Sequence, residues 1–349
     1  MTDLNRNKKI ESALSQKKNE HIFLALKQWK NIESKKTNFS KVFLDRPSLL
    51  TIDYKNIDLS TNFLNHQFKW PFYIEAMSGG SSLGYQLNDE LSKIAREFDL
   101  AMAVGSQSIA LKQTDKQTIE SFKIVRKNNP NGFIFANIGI GHNANEAQQA
   151  IDMIEANVLE IHINPVQELS TSDGDRNFSN WNETLQDIIE NIKIPIIIKE
   201  VGFGFSKNSL LKLDNLNVAA INVAGSGGTD FGLIESTRSP NKTWGEQVKN
   251  ISSNQNSLFT NPTYEILKNA RNLNLKTPLI ANGGIASADD VFKSLALGSH
   301  LVGVAGYFLY LWKNKKLAEE IRNWQTQLPF LYASFNAENL NDLHQLNIK

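Results

Sequence analysis

Cysteine is missing from all 349 residues. That excludes disulfides, zinc–thiolate centres and cysteine nucleophiles, and it agrees with a cytosolic address. Neither sign of charge dominates: Lys plus Arg number 37 against 36 for Asp plus Glu, a net charge of +1. With no global field there is nothing to recruit nucleic acid or a membrane, so an anionic ligand has to be held by a local site. Long apolar runs are absent as well. The most apolar one, residues 301–312, falls short of the about 20 residues that span a bilayer. The N-terminus is charged and lacks the apolar centre of a signal peptide. A soluble, cytoplasmic protein is expected, with 41% apolar residues to build a sizeable core.

The length admits one large α/β domain with extensions, or two smaller domains. Residues 1–36 are helical in character, with Ile22, Phe23, Leu26 and Trp29 on one apolar stripe just after the cationic cluster Lys17-Lys18-Asn19-Glu20-His21. Residues 37–70 are irregular. From Pro71 onward eight apolar, β-prone runs recur, at 72–77, 101–106, 133–140, 158–164, 195–201, 218–225, 278–284 and 301–306. Amphipathic segments at 87–98, 119–127, 144–156 and 288–297 read as intervening helices. Eight strand–helix units predict a closed (β/α)8 barrel over 71–349 with a helical C-terminal tail. Residues 1–70 are read as a helical and irregular extension closing the substrate site. The polar, Asn-rich stretch 226–277, with Trp244-Gly245 inside it, reads as a long insertion between strands six and seven that serves as a lid or an oligomer contact.

The stretch that organises the chain is VLEIHINPVQE at 158–168. Alternation puts Glu160, His162 and Asn164 on one strand face, and Pro165 ends the strand just ahead of Gln167 and Glu168. Four ligand-binding groups thus crowd the carboxyl end of one strand, where parallel α/β folds bind ligands. Other strand ends carry small or polar residues: Ala76-Met77-Ser78, Ser106, Asn137, Lys199-Glu200, Ala224, Thr229, Gly283-Gly284 and Val304-Ala305. Glycines after the last two strands admit a phosphate close to backbone N–H groups. A buried Lys199 needs a partner, which Glu200 or an anionic ligand would supply. Small residues at strand one, hydrogen-bonding groups at Ser106 and Asn137 and a cation at Lys199 suit flavin mononucleotide. Spacing alone leaves a phosphosugar open.

These motifs together resemble the type 2 isopentenyl diphosphate isomerases over about residues 17–308. The likeness rests on KKNEHI at 17–22, AMSGG at 76–80, AMAVGSQ at 101–107, HINPVQE at 162–168 and IIKEVGFG at 197–204. GGTDF at 227–231, WG at 244–245, NGGI at 282–285 and KSLALGS at 293–299 follow in order. The resemblance implies an FMN- and Mg²⁺-dependent barrel that interconverts isopentenyl and dimethylallyl diphosphate by moving protons at a reduced flavin, with NAD(P)H or another donor as the reductant. It implies FMN contacts at Ala76, Met77, Ser78, Ser106, Asn137, Lys199, Ala224, Thr229, Gly283, Gly284, Val304 and Ala305. It assigns diphosphate binding to Lys17, Lys18, His21, His162 and Asn164, substrate contact and proton relay to Gln167, and Mg²⁺ to Glu168. It also implies a homo-oligomer, a tetramer or octamer. Lys17 stands where the family usually has Arg, and Ala224 where Ser is common.

An FMN-dependent 2-hydroxy acid oxidase or dehydrogenase needs a His base with an Arg partner after strand six, and this chain has Ser226-Gly227-Gly228-Thr229 there. A non-catalytic flavin-binding descendant would have little use for both Gln167 and Glu168.

Overall fold

The computed structural model describes residues 12–30, 38–113, 115–171, 174–238 and 260–349. Trp244-Gly245 and the middle of the expected insertion, 239–259, lie outside the described residues. The chain opens with α1 (Ala13–Trp29), capped by the Ser12 hydroxyl, which accepts from the Ser15 N–H. A two-stranded hairpin follows, β1 (Thr61–Phe63) and β2 (His66–Phe68), which the irregular sequence at 37–70 had not signalled. Its two-residue loop, Leu64-Asn65, has φ of 53° and 59°, as a tight hairpin turn requires.

Eight parallel strands then close into a barrel: β3 (Phe72–Ile74), β4 (Met102–Ala103), β5 (Ile134–Gly139), β6 (Val158–His162), β7 (Ile196–Lys199), β8 (Ala220–Asn222), β9 (Leu279–Asn282) and β10 (Ser299–Val304). β10 pairs with β3 to seal the ring. The strands are those expected: seven are shorter than their apolar runs because the terminal residues turn into the loops that build the site, and the last, expected at 301–306, begins two residues earlier and ends at Val304.

Helices cover the outside: α2 (Ser82–Phe98), α3 (Ser108–Lys112), α4 (Lys116–Asn128), α5 (Ala144–Ile154), α6 (Pro165–Ser170), α7 (Trp181–Asn191), α8 (Lys207–Leu213), α9 (Phe231–Arg238), α10 (Thr263–Ala270) and α11 (Ala288–Ala296). The tail adds α12 (Gly306–Lys313), α13 (Leu317–Ser334) and α14 (Leu340–His344). α9 and α10 fall inside the stretch read as an insertion, so part of it belongs to the barrel's own helical layer. Polar composition had masked them.

Alternation along the strands sets two kinds of interior. Tyr73, Ala103, Phe135, Val158, Ile197, Ala220, Ile280 and Leu301 form one apolar cluster with Phe63, Leu64 and Phe68 of the hairpin. Two residues further along the same strands stand Glu75, Gly105, Asn137, Glu160, Lys199, Asn222, Asn282 and Gly303. The period of two keeps them facing inward. The barrel is therefore dry at its amino end and polar toward its carboxyl end, where chemistry in this architecture is located.

Candidate active site

A cavity of about 510 Å³ opens at the carboxyl end of the barrel. That volume lies within the usual range of roughly 300–1,000 Å³ for a small-molecule site. Helix α1 crosses its mouth and is tied down at both ends. Ser15 Oγ donates to the Gly80 carbonyl at 2.8 Å, Gln28 exchanges two hydrogen bonds with the Asp230 backbone at 2.9 and 2.7 Å, and Trp29 Nε1 donates to Thr229 Oγ1 at 2.9 Å. Gly306 is what lets Trp29 in, since a Cβ there would fall 2.1 Å from its Nε1.

Of the residues singled out from sequence, Lys17, Lys18, His21, Ala76, Met77, Ser106, Asn137, His162, Asn164, Gln167, Glu168, Lys199, Ala224, Thr229, Gly283, Gly284 and Ala305 line this one cavity. Ser78 and Val304 lie behind the wall and are buried. The Ser78 hydroxyl has no hydrogen-bond partner.

The polar tip after β6 is a helix start and not an open loop. Asn164 is the N-cap of α6 and Pro165 takes the first turn, where its missing N–H costs nothing. Asn164 Oδ1 accepts the Gln167 N–H at 2.5 Å, and its Nδ2 donates to Glu200. The other Glu200 oxygen accepts the N–H groups of Val201, Gly202, Phe203 and Gly204 at 2.8, 3.2, 2.8 and 3.1 Å. Burial pushes the Glu200 pKa up against the pull of these donors. Glu200 is thus committed to the backbone and to Asn164, so of the two partners the sequence left open for Lys199, the Glu200 carboxylate is not the one it meets. Lys199 Nζ stands 3.8 Å from Glu75 Oε1 and donates to the backbone carbonyl of Glu200 at 3.2 Å.

His162 Nδ1 meets Asn137 Oδ1 at 2.9 Å. Burial, then the charges of Lys199 and Lys18, pull its pKa down to about 3, so the ring is neutral. Burial and then the Lys17 charge bring Lys18 down to about 8, with Glu235 opposing. His21 Nε2 lies 2.7 Å from Glu235 Oε1, and Arg238 Nη1 lies 2.8 Å from the other Glu235 oxygen. Burial moves His21 toward its neutral form, which still donates its Nε2–H to the carboxylate. Burial alone would raise Glu235, but the His21 bond and the surrounding cations outweigh it and its pKa is lowered.

Glu235 and Arg238 escaped sequence reading because α9 sat in a stretch read as an insertion. The i, i+3 Glu–Arg pair just past the Gly227-Gly228 turn was the signal available. Glu168 Oε2 accepts the Asp175 N–H at 2.8 Å, and both side chains face the cavity. Among the described residues no group of three or more His, Cys, Asp or Glu side chains is placed to hold a metal ion.

The wall suits a flat, phosphorylated ring. At Gly283, with φ of 99°, a Cβ would fall 2.0 Å from the Gly225 carbonyl oxygen, so only glycine allows this close backbone turn. Small Ala76 and Ala305 leave room for a ring, and the buried Lys199 cation with Ser106 and Asn137 on the same wall supplies polar groups that fit FMN. Barrel and cavity together define an FMN-binding (β/α)8 protein. A family model described as FMN-dependent dehydrogenase matches residues 142–316.

Among solved structures, mandelate oxidase with benzoyl-formic acid superposes with a TM-score of 0.62, covering 96% of this chain and 97% of that one at 12% identity. The recombinant flavin-binding domain of baker's yeast flavocytochrome b2 gives 0.58 at 17% identity, covering 97% and 80%. Both show the fold. In sequence, the isopentenyl-diphosphate delta-isomerase of Lactococcus lactis subsp. lactis (strain IL1403) is 39% identical across 97% of this chain and 96% of that protein. That of Listeria monocytogenes serotype 4b (strain F2365) is 37% identical across 94% and 89%. The chain belongs to the isopentenyl-diphosphate delta-isomerase family, in its FMN-dependent form.

Proposed function

We propose that this protein interconverts isopentenyl and dimethylallyl diphosphate in the cavity under α1, with FMN as its cofactor and Mg²⁺ on the diphosphate. The observation that carries this is the pairing of Gln167 and Glu168 in the first turn of α6, facing a cavity that Lys17, Lys18 and His162 also line. An amide is not a general base near neutral pH, so Gln167 orients substrate and relays a proton that another group supplies. Reduced FMN, when bound, provides an electron-rich ring edge able to give and take that proton with no net redox change.

Glu168 is the metal-binding carboxylate, and one carboxylate with diphosphate oxygens and water is an ordinary Mg²⁺ arrangement. Lys17 and Lys18 hold the diphosphate as point charges. His162, whose Nδ1 is turned to Asn137 Oδ1, donates from Nε2 to the diphosphate once the anion's charge draws a proton onto the ring, and His21, braced by Glu235, keeps this end of α1 against α9. Asn164 acts chiefly by aiming Gln167 and Glu168, since its side chain is taken up by the helix cap and Glu200. Lys199 stabilises negative charge on the flavin. NAD(P)H serves as reductant, and the working form is a cytoplasmic homo-oligomer, a tetramer or octamer.

The 2-hydroxy acid oxidase reading shares the fold. It lacks its His–Arg pair in Ser226-Gly227-Gly228-Thr229, and the identity to isomerases outweighs it. The test is anaerobic: isopentenyl diphosphate with Mg²⁺, first on oxidised and then on reduced holoenzyme. Dimethylallyl diphosphate formed only by the reduced enzyme is the expected result. A yellow protein that forms none, yet oxidises 2-hydroxy acids, overturns the proposal.

A further inference from the structure

Below the cavity floor the barrel buries two carboxyl groups in one layer, and their surroundings differ. Glu75, 1% exposed, is saturated with donors. Its Oε2 accepts from Tyr73 OH at 2.7 Å, Asn222 Nδ2 at 2.6 Å and Asn282 Nδ2 at 3.0 Å, and its Oε1 accepts the Ala76 N–H at 2.7 Å. The Lys199 ammonium stands 3.8 Å from Oε1. Glu160, fully buried, meets the Tyr73 hydroxyl at 3.5 Å through Oε1, while its Oε2 has no partner. Tyr73 has one proton to give, and the shorter contact directs it to Glu75.

A carboxylate that collects several N–H and O–H donors and a cation is held ionised. A second carboxyl in the same dry layer, one of whose oxygens has no partner, is held neutral by burial and by the neighbouring carboxylate against the weaker pull of Lys199 and Asn222. Burial, and then the Glu75 charge, drive Glu160 strongly toward its protonated form. The other titratable groups here agree: Tyr73 is raised well out of range by burial, and His162 above is neutral. Lys199 therefore faces one negative charge from below.

We infer that Glu75 is the resident counter-ion of Lys199 and a positioning residue for the flavin. By neutralising part of the Lys199 charge it limits how far that lysine favours the electron-rich, reduced cofactor, while protonated Glu160 contributes shape and no charge. An uncompensated lysine at the floor would hold reduced flavin too tightly for the cofactor's electron density to remain reactive. Glu75 sits 3.8 Å from the Lys199 ammonium, a distance at which a unit charge acts strongly through a dry interior. The inference rests on FMN occupying the cavity.

The experiment compares wild-type, Glu75→Gln and Glu160→Gln holoenzymes by anaerobic, dye-equilibrated titration of the bound flavin. Removing the Glu75 charge is expected to raise the preference for reduced over oxidised FMN about tenfold or more, a midpoint about 30 mV more positive for a two-electron couple. Glu160→Gln replaces one neutral group by another and should stay within about twofold of wild type. An unchanged potential in flavin-bearing Glu75→Gln, or an equal rise in Glu160→Gln, overturns the inference. Should Glu75→Gln fail to fold, infrared spectra of the other two decide: the band of a protonated buried carboxyl must be present in wild type and lost in Glu160→Gln. Its absence from wild type, or persistence in the variant, also overturns it. A wild-type preparation with no flavin would instead fail the FMN reading itself.

Discussion

The two ends of this barrel are made from the same eight strands, yet they have opposite characters. At the amino end the β1–β2 hairpin plugs the interior with Phe63, Leu64 and Phe68, which join Tyr73, Phe135 and the inward aliphatic residues in one cluster. At the carboxyl end the next inward layer is Glu75, Glu160, Lys199, Asn222 and Asn282, and above it opens the cavity. Only two residues along each strand separate a layer whose worth is burial from one whose worth is charge. Apolar burial at one end stabilises the frame against which polar groups can be held desolvated at the other. That separation predicts that the ends can be damaged independently.

The largest effect is expected at the plug. Phe68→Ala removes a buried ring packed on Phe133 at a centroid distance of 5.0 Å and on His66 at 4.8 Å. It should cost about 3–5 kcal/mol of stability by denaturant melting, while kcat/KM per folded molecule stays as in wild type. A matching loss of kcat/KM would mean that the ends are coupled.

Next comes the mouth. Glu168→Gln should lower Mg²⁺-dependent turnover at least about 100-fold, near 3 kcal/mol of transition-state stabilisation. It should leave melting temperature and flavin content unchanged, and undiminished turnover would remove Glu168 from the metal role.

Glu235→Gln loosens the His21 and Arg238 contacts between α1 and α9, at 2.7 and 2.8 Å. A rise in KM for isopentenyl diphosphate of about tenfold, ~1.4 kcal/mol, with a smaller change in kcat, is expected from steady-state kinetics.

The smallest effect is a pH limb. With its pKa pulled down to about 8, Lys18 is cationic below that pH and loses its charge above it. For the free enzyme, kcat/KM should therefore fall as pH rises through about 8, and Lys18→Arg should abolish that limb. A flat profile through pH 9 would put the diphosphate elsewhere.

How much of this was legible in the sequence follows the same division. Apolar, β-prone runs spaced by helical segments signalled all eight barrel strands, because a parallel strand buried on both faces writes its pattern locally. Most mouth residues could be named for a related reason: they follow directly on those strands. The hairpin stayed hidden, since Leu64-Asn65 lacks the glycine that normally marks such a turn and Leu64 adopts φ of 53° with its side chain drawn into the plug. Partnerships across the barrel were hidden too. Lys199 and Glu200 are adjacent in sequence, but neighbouring residues on a strand point to opposite faces, so the lysine finds Glu75 on another strand. Likewise Asn164, read as a ligand group, turned out to be tied to Glu200 and to the cap of α6.

The central claim is that the mouth moves protons without net oxidation. The most direct measurement is NMR of the products that reduced holoenzyme forms from isopentenyl diphosphate and Mg²⁺ in D₂O, with NAD(P)H followed in the same tube. Deuterium entering dimethylallyl diphosphate over many turnovers, with no stoichiometric loss of NAD(P)H, is what the account predicts. Product formation that consumes one NAD(P)H per turnover, or a flavin-loaded enzyme that exchanges no deuterium into either diphosphate, would contradict it.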